Sequence, residues 1–284
     1  MATASSRFFV LGAAVLFSTG GAAIKGCGLS GWQVACFRSG IAAIALLLLV
    51  PESRRRLSPK LLLVGTAYAA TMILFVLGNK LTTAANTIFL QSTAPLYLLV
   101  LAPLLLSEKL RKSDLALMVA IAGGLALFFV KLEAPSASAP DPFLGNVLGG
   151  AAGITWALTL LGLRWLERDG AGGLAAVVVG NTLACLIALP FALPVAEAAT
   201  TDWLLIAYLG VVQIGLAYVL LTRGFRHVTA FEASLIILFE PTLNPVWAWL
   251  FHDEVPSGWA LAGGATILVA STSKTWLDQR TEAR

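Results

Sequence analysis

Ten apolar blocks of 16 to 21 residues divide this chain, at 8–24, 32–50, 61–78, 87–106, 115–130, 143–163, 174–194, 203–222, 231–251 and 258–273. A helix needs about 20 mainly apolar residues to cross a bilayer, so the repetition itself sets the fold class. Charged residues make up 12% of the 284, against about 25% in a soluble domain. That is too few to cover soluble surfaces, which excludes a soluble enzyme, a nucleic-acid binder and a disordered chain. The expected fold is all-α: a polytopic membrane protein of ten transmembrane helices, its connections too short for an extramembrane domain. Arg7 before the first block imitates a secretory signal. Phe8 to Ile24 is long enough to span, and no soluble domain follows, so the block is read as retained.

The basic residues orient the chain. Arg7, Arg54, Arg55, Arg56, Lys60, Lys109, Arg111, Lys112, Arg164, Arg168, Arg223, Arg226, Lys274, Arg280 and Arg284 fall on the side of the N-terminus, fifteen of the nineteen. The opposite side has Lys25, Lys80 and Lys131, and Arg38 lies inside the second block. The positive-inside rule then places both termini in the cytoplasm.

The chain also repeats itself. Thr83 to Glu108 reads TAANTIFLQSTAPLYLLVLAPLLLSE, and 146 positions later Thr229 to Glu254 reads TAFEASLIILFEPTLNPVWAWLFHDE. Thr83-Ala84, Pro95 and Glu108 meet Thr229-Ala230, Pro241 and Glu254 without a gap. Further on, Ala122-Gly123-Gly124 recurs as Ala262-Gly263-Gly264. Blocks 1–5 therefore correspond to blocks 6–10, giving repeats at 1–140 and 141–284. Because five is odd, the second repeat enters the membrane from the opposite side. Such inverted repeats build many secondary transporters, with substrate bound between the halves.

Ten helices in a 5+5 arrangement, with FLQSTAPLYLLVLAPLLLSEKL in the fourth and ILFEPTLNPVWAWLFHDEV in the ninth, resemble the EamA branch of the drug/metabolite transporter superfamily. Phe37-Arg38-Ser39 also resembles that family's Phe-Arg pair near the start of the second helix. The resemblance covers the whole chain and implies export of small metabolites across the bacterial inner membrane. Within the branch, the chain looks most like aromatic amino acid exporters of the YddG type.

Two questions locate a site from the residues alone: which helices are interrupted, and which polar groups lie deep. Pro95 and Pro241 sit near the middle of the fourth and ninth blocks. Each removes a backbone hydrogen bond and favours a kink, and matched breaks in two halves point to a transport site. Glu240, beside Pro241, is the only acidic residue at mid-depth. Its burial costs at least about 2.5–3.5 kcal/mol, so it should face a cavity or a cation. Asn244 and Trp247 follow at i+4 and i+7. Asn86, Thr93 and Tyr97 form the corresponding face of block 4, with Gln213, Thr155, Trp156 and Thr159 as further deep groups. Arg38 can either snorkel to the surface or hold a substrate carboxylate. Tyr68, Tyr97, Trp156 and Trp247 are candidates for an apolar wall. Glu108 and Glu254, at helix ends, suit a gate or a cap.

The remaining features are structural. Gly145, Gly149 and Gly153 allow close helix approach. Cys27, Cys36 and Cys185 have no metal-ligand spacing, and the only histidines, His227 and His252, lie at block ends. An enzyme within the membrane therefore lacks its chemistry, and no cofactor, metal or nucleic acid is implied. The expected partners are a small-molecule substrate, an amino acid or similar metabolite, and the lipid bilayer, with the chain acting as a monomer. The expected function is a secondary transporter that exports neutral, including aromatic, amino acids by alternating access. Export of another metabolite or drug, or a channel with saturation-free flux, is the alternative.

Overall fold

The computed structural model describes residues 2–98, 101, 112–130, 134–170, 172–195, 197–228 and 230–282. All regular structure among them is helical. The chain forms α1 (Ala2–Ser18), α2 (Gly20–Gly26), α3 (Gly31–Leu49), α4 (Pro59–Leu81), α5 (Ala84–Gln91), α6 (Lys112–Val130), α7 (Pro142–Arg168), α8 (Gly173–Ala192) and α9 (Thr200–Tyr208). A π segment, Leu209–Leu216, leads into α10 (Ala217–Gly224), followed by α11 (Ala230–Ile237), α12 (Phe239–His252) and α13 (Gly258–Glu282). Seven stretches are long and apolar enough to cross a membrane: Ser5–Gly26, Gly31–Leu49, Pro59–Leu81, Pro142–Arg168, Gly173–Ala192, Thr200–Gly224 and Glu232–His252. Val119–Val130 and Gly258–Ala270 are shorter apolar helices. Leu48, Leu49, Leu63, Val119, Phe251 and Val269 are all exposed, as expected of side chains that face lipid rather than water.

Local sequence explains where helices start. Ser30 accepts the Gln33 N–H while Gln33 reaches back to the Ser30 N–H, a capping box that opens α3. Ser58 and Thr83 cap α4 and α5, and Pro59 and Pro142 occupy first-turn positions that need no N–H donor.

The two halves pack across each other. α4 lies on α7 and α1 on α10; α5 lies on α7 and α1 on α12; α3 pairs with α8 and α6 with α13. Exchanging the halves maps each of these pairings onto another or onto itself. Glycine makes the closest approaches. A Cβ on Gly145 would stand 2.6 Å from the Thr82 nitrogen, and one on Gly153 would stand 2.7 Å from Thr93 Oγ1. Gly124 and Gly263, from the duplicated Gly-Gly pairs, cross at a similar distance: a Cβ on Gly263 would lie 2.7 Å from the Gly124 carbonyl oxygen. All three cysteines are free, with the Cys36 and Cys185 sulfurs 3.5 Å apart across α3 and α8.

Candidate functional site

Four stretches lose regular α-geometry near one another. One breaks at Thr19, between α1 and α2. A second stops at Gln91, the end of α5, and resumes at 94–98. A third widens into the π segment between α9 and α10, and another breaks at Leu238 between α11 and α12. Two of these interruptions, at Ser92 and Leu238, lie 146 residues apart. The prolines do not cost interior hydrogen bonds as the sequence suggests. Pro241 sits in the first turn of α12 and Pro95 in the first turn of the resumed helix, where N–H groups have no intrahelical acceptor. Each proline begins a new half-helix rather than bending an old one.

The breaks border a small cavity of about 30 Å³. Phe17 from the end of α1, Gln91 from the end of α5, Gln213 and Ile214 from the π segment, and Glu240 from the start of α12 line it. Arg38, Met72, Phe75, Trp156 and Tyr218 complete the wall. The cavity has room for only about two waters.

Arg38 does not snorkel. It is 1% exposed, because α3 carries it against α4, where its Nη2 donates to the Met72 carbonyl oxygen at 3.1 Å. Its Nε has no hydrogen-bond partner, leaving a charged donor at the cavity wall. Glu240 is 5% exposed and borders the same cavity. The described residues form no salt bridge to either side chain. The first turn of α12 gives Glu240 a favourable position, since a helix N-terminus stabilises a carboxylate by about 0.3–1 kcal/mol.

Gln213 is aimed by the π segment. Its Nε2 lies 3.5 Å from the Phe17 carbonyl oxygen at the α1 break, and its Oε1 has no partner. Gly210 and Gly20 make this packing possible. A Cβ on Gly210 would meet the Arg38 carbonyl oxygen at 2.8 Å, and one on Gly20 would meet Gln213 Nε2 at 2.7 Å. The aromatic wall is a cluster: Trp156 and Tyr218 both stand edge-on to Phe17, with centroids 6.1 and 5.0 Å away. Tyr68 backs Tyr218 at 4.8 Å and accepts a 2.9 Å bond from Asn181 Nδ2.

The other sequence candidates lie elsewhere. Asn244 is buried against Gly21, where a Cβ would come within 2.7 Å of its amide, and Trp247 Nε1 donates to Ser18 Oγ at 3.1 Å. Trp247 thereby ties α12 to the α1–α2 break, whereas both amide atoms of Asn244 are buried without a hydrogen-bond partner. Asn86 Nδ2 donates to Asn146 Oδ1 and Thr82 Oγ1, each at 3.3 Å, and Asn146 in turn donates to the Phe128 carbonyl. Thr93 Oγ1 donates to the Leu90 carbonyl, Thr155 caps carbonyls of its own helix, and Thr159 meets Thr71 at 3.2 Å. Tyr97 is half-buried on the main apolar core. Pro95 borders a second, adjoining cavity that Glu240 also borders, whereas Pro241, also buried, lines neither cavity. Glu254 caps α5: its Oε2 accepts the Ala84 N–H at 2.9 Å. Glu108 lies outside the described residues.

Phe17, Gln91 and Tyr218 are wall residues that the sequence reading passes over. Tyr218 follows Gln213 by five residues, a spacing that diverges on an α-helix and shares a face only where a π turn intervenes. Gln91, four residues before Pro95, carries a local signal in the FLQSTAP run.

An all-helical membrane protein whose broken helices enclose an interior cavity with buried, unpaired groups belongs structurally with the secondary transporters. The sequence profile of the EamA-like transporter family matches residues 5–130 and again 143–273, and the chain belongs to that family. It is similar to the pseudopaline exporter CntI of two Pseudomonas aeruginosa strains, 28% identical over 84% of each chain. It is also similar to the uncharacterized transporter YdfC of Bacillus subtilis, 27% identical over 88% of this chain and 84% of that one. One solved crystal structure shares the fold with a TM-score of 0.68 at 19% identity, across 98% of this chain and 99% of its own.

Proposed function

We propose that this transporter exports small metabolites bearing both a carboxylate and an ammonium, chiefly neutral and aromatic amino acids, across the bacterial inner membrane by alternating access. The observation that carries this reading is that Arg38 and Glu240 line one cavity without pairing with each other. A buried charge without a counter-charge is costly, and a zwitterion supplies both counter-charges at once. Arg38 Nε is the donor for the carboxylate and Glu240 the acceptor for the ammonium. Phe17, Trp156 and Tyr218 offer a side chain an apolar, edge-rich wall.

The topology belongs to the same reading. Ten spans in two inverted repeats, 1–140 and 141–284, with both termini cytoplasmic, are supported by the basic-residue asymmetry and by helix pairings that exchange between the halves. On that topology the cavity is closed toward the periplasm by Glu254, which joins α12 to α5 and to Lys25 at the end of α2. Asn244 and Trp247 move with the hinge rather than touching substrate. Glu108, equivalent to Glu254 by the repeat, serves the cytoplasmic end.

A second reading, favoured by the likeness to a pseudopaline exporter, is that the substrate is a larger metabolite. The test is counterflow in proteoliposomes loaded with a panel of amino acids, their decarboxylated and deaminated analogues, and pseudopaline. Saturable exchange of amino acids, with no competition from analogues lacking either charged group, is the expected result. Equal competition by the deaminated or decarboxylated analogues, or flux without saturation or counterflow, contradicts it.

A further inference from the structure

Gln213 lines the same cavity as Arg38 and Glu240 and is only 4% exposed, yet its Oε1 has no hydrogen-bond partner. The amide is held from behind. Its Nε2 faces the Phe17 carbonyl oxygen at 3.5 Å, and a carbonyl only accepts, so turning the amide over would set two oxygens against each other. Gly20 closes on the same nitrogen, because a Cβ there would stand 2.7 Å from it. The π segment that carries Gln213 is pinned to this part of α1 as well: the Tyr208 hydroxyl, one residue before the segment, shares a 2.7 Å hydrogen bond with Thr19 Oγ1. The amide is therefore clamped at its nitrogen and has a free acceptor in a wall that encloses about two waters. A buried acceptor without a donor is costly.

We propose that Gln213 is a specificity-determining residue whose Oε1 takes a second N–H of the substrate ammonium, the first being taken by Glu240, so that the carrier selects amines with at least two N–H bonds. A carboxylate by itself does not draw that line, because a tertiary ammonium with one N–H neutralises it as completely as a primary one. A second acceptor at another place in the wall does. Being neutral, an amide supplies that acceptor without burying a further charge. In a space of about two waters, the polar groups of the wall converge on one small guest. The widened turn serves this arrangement, since it brings Gln213 to the cavity on the same face as Tyr218. Such selection rests on the proposed pairing of Glu240 with the substrate ammonium.

The experiment is counterflow of a labelled neutral amino acid by the purified full chain in proteoliposomes, with phenylalanine, N-methylphenylalanine and N,N-dimethylphenylalanine as competitors. All three are zwitterions at neutral pH, so only the number of N–H bonds and the bulk at nitrogen differ. In the wild type the N-methyl compound should compete nearly as well as phenylalanine. The N,N-dimethyl compound should compete at least about tenfold more weakly, through the loss of one hydrogen bond to a charged group. Gln213→Met keeps the length of the side chain and removes the amide acceptor. It should weaken competition by phenylalanine about tenfold, leave the N,N-dimethyl compound unchanged and so erase the difference. Discrimination that rises evenly with each methyl group, or survives in Gln213→Met, assigns it to bulk and overturns the proposal. If the variant does not fold, the step between one and two methyl groups in the wild type decides alone. Equal competition by all three compounds also overturns it, leaving Gln213 bonded to water and the amino acid reading intact. Competition by none of them removes the amino acid reading itself, and the role of Gln213 with it.

Discussion

Lys25 and Glu254 form a buried ion pair, with Nζ 3.4 Å from Oε1 and each side chain only 5% exposed. The contact is electrostatic rather than a directed hydrogen bond, because Oε1 has no aligned donor. Lys25 Nζ also donates to the carbonyls of Thr82 and Ser138, while Glu254 holds the first turn of α5 through Ala84. One pair thus ties the ends of α2, α4 and α12 to the start of α5 and the linker ahead of α7. The ion pairs at the other end, Arg7–Glu232, Lys60–Asp169 and Arg226–Glu167, each include a side chain at least half exposed, and such pairs contribute about 0–1 kcal/mol.

Breaking the buried pair should therefore open one end selectively. Removing one partner of a buried pair costs about 3–5 kcal/mol, enough to move a two-state equilibrium by more than about a hundredfold. In Lys25→Met, a cysteine introduced at Ile214 in the cavity wall should react faster with an impermeant thiol reagent added from the periplasm. Unchanged labelling kinetics would show that Lys25 and Glu254 are not a gate.

The glycine crossings separate packing from propensity. Gly263→Val places a methyl-bearing carbon against the Gly124 carbonyl and Phe128, and overpacking of this kind costs about 1–3 kcal/mol. Gly123→Ala meets nothing within 4 Å and should be neutral or stabilising by about 0.5–1 kcal/mol, since glycine is a poor helix former. Thermal midpoints in detergent decide; equal effects of the two changes would mean that α6 and α13 do not cross here.

Orientation is tested in whole cells. Cysteine at Ala2 should be protected from an impermeant reagent outside intact cells and react after permeabilisation. Labelling in intact cells would reverse the assignment of sides and move Glu254 to the cytoplasmic end.

Much of this was legible in the sequence because bilayers impose length and composition directly. Where their residues are described the apolar blocks fall on helices, seven of those stretches long and apolar enough to span, and Pro95 and Pro241 mark the breaks at Ser92 and Leu238. What the sequence hid follows from geometry that residue type does not encode. The break at Thr19 contains no proline; two glycines permit it, and Gln213 and Trp247 stabilise it from other helices. The π segment brings Gln213 and Tyr218 together against helical periodicity. Asn86 is deep and polar, as a substrate ligand should be, yet bonds to Asn146 and Thr82 between helices, since burial alone does not distinguish the two roles.

The central claim is that Glu240 supplies the negative charge opposite Arg38 in a transport cavity. Its most direct test is counterflow of a transported amino acid by Glu240→Gln in proteoliposomes, a change that keeps the shape of the side chain and removes its charge. The account predicts that exchange falls to the level of empty liposomes while the variant remains monodisperse with a thermal midpoint at or above that of the wild type. Exchange at the wild-type rate, with an unchanged dependence on pH, would contradict it.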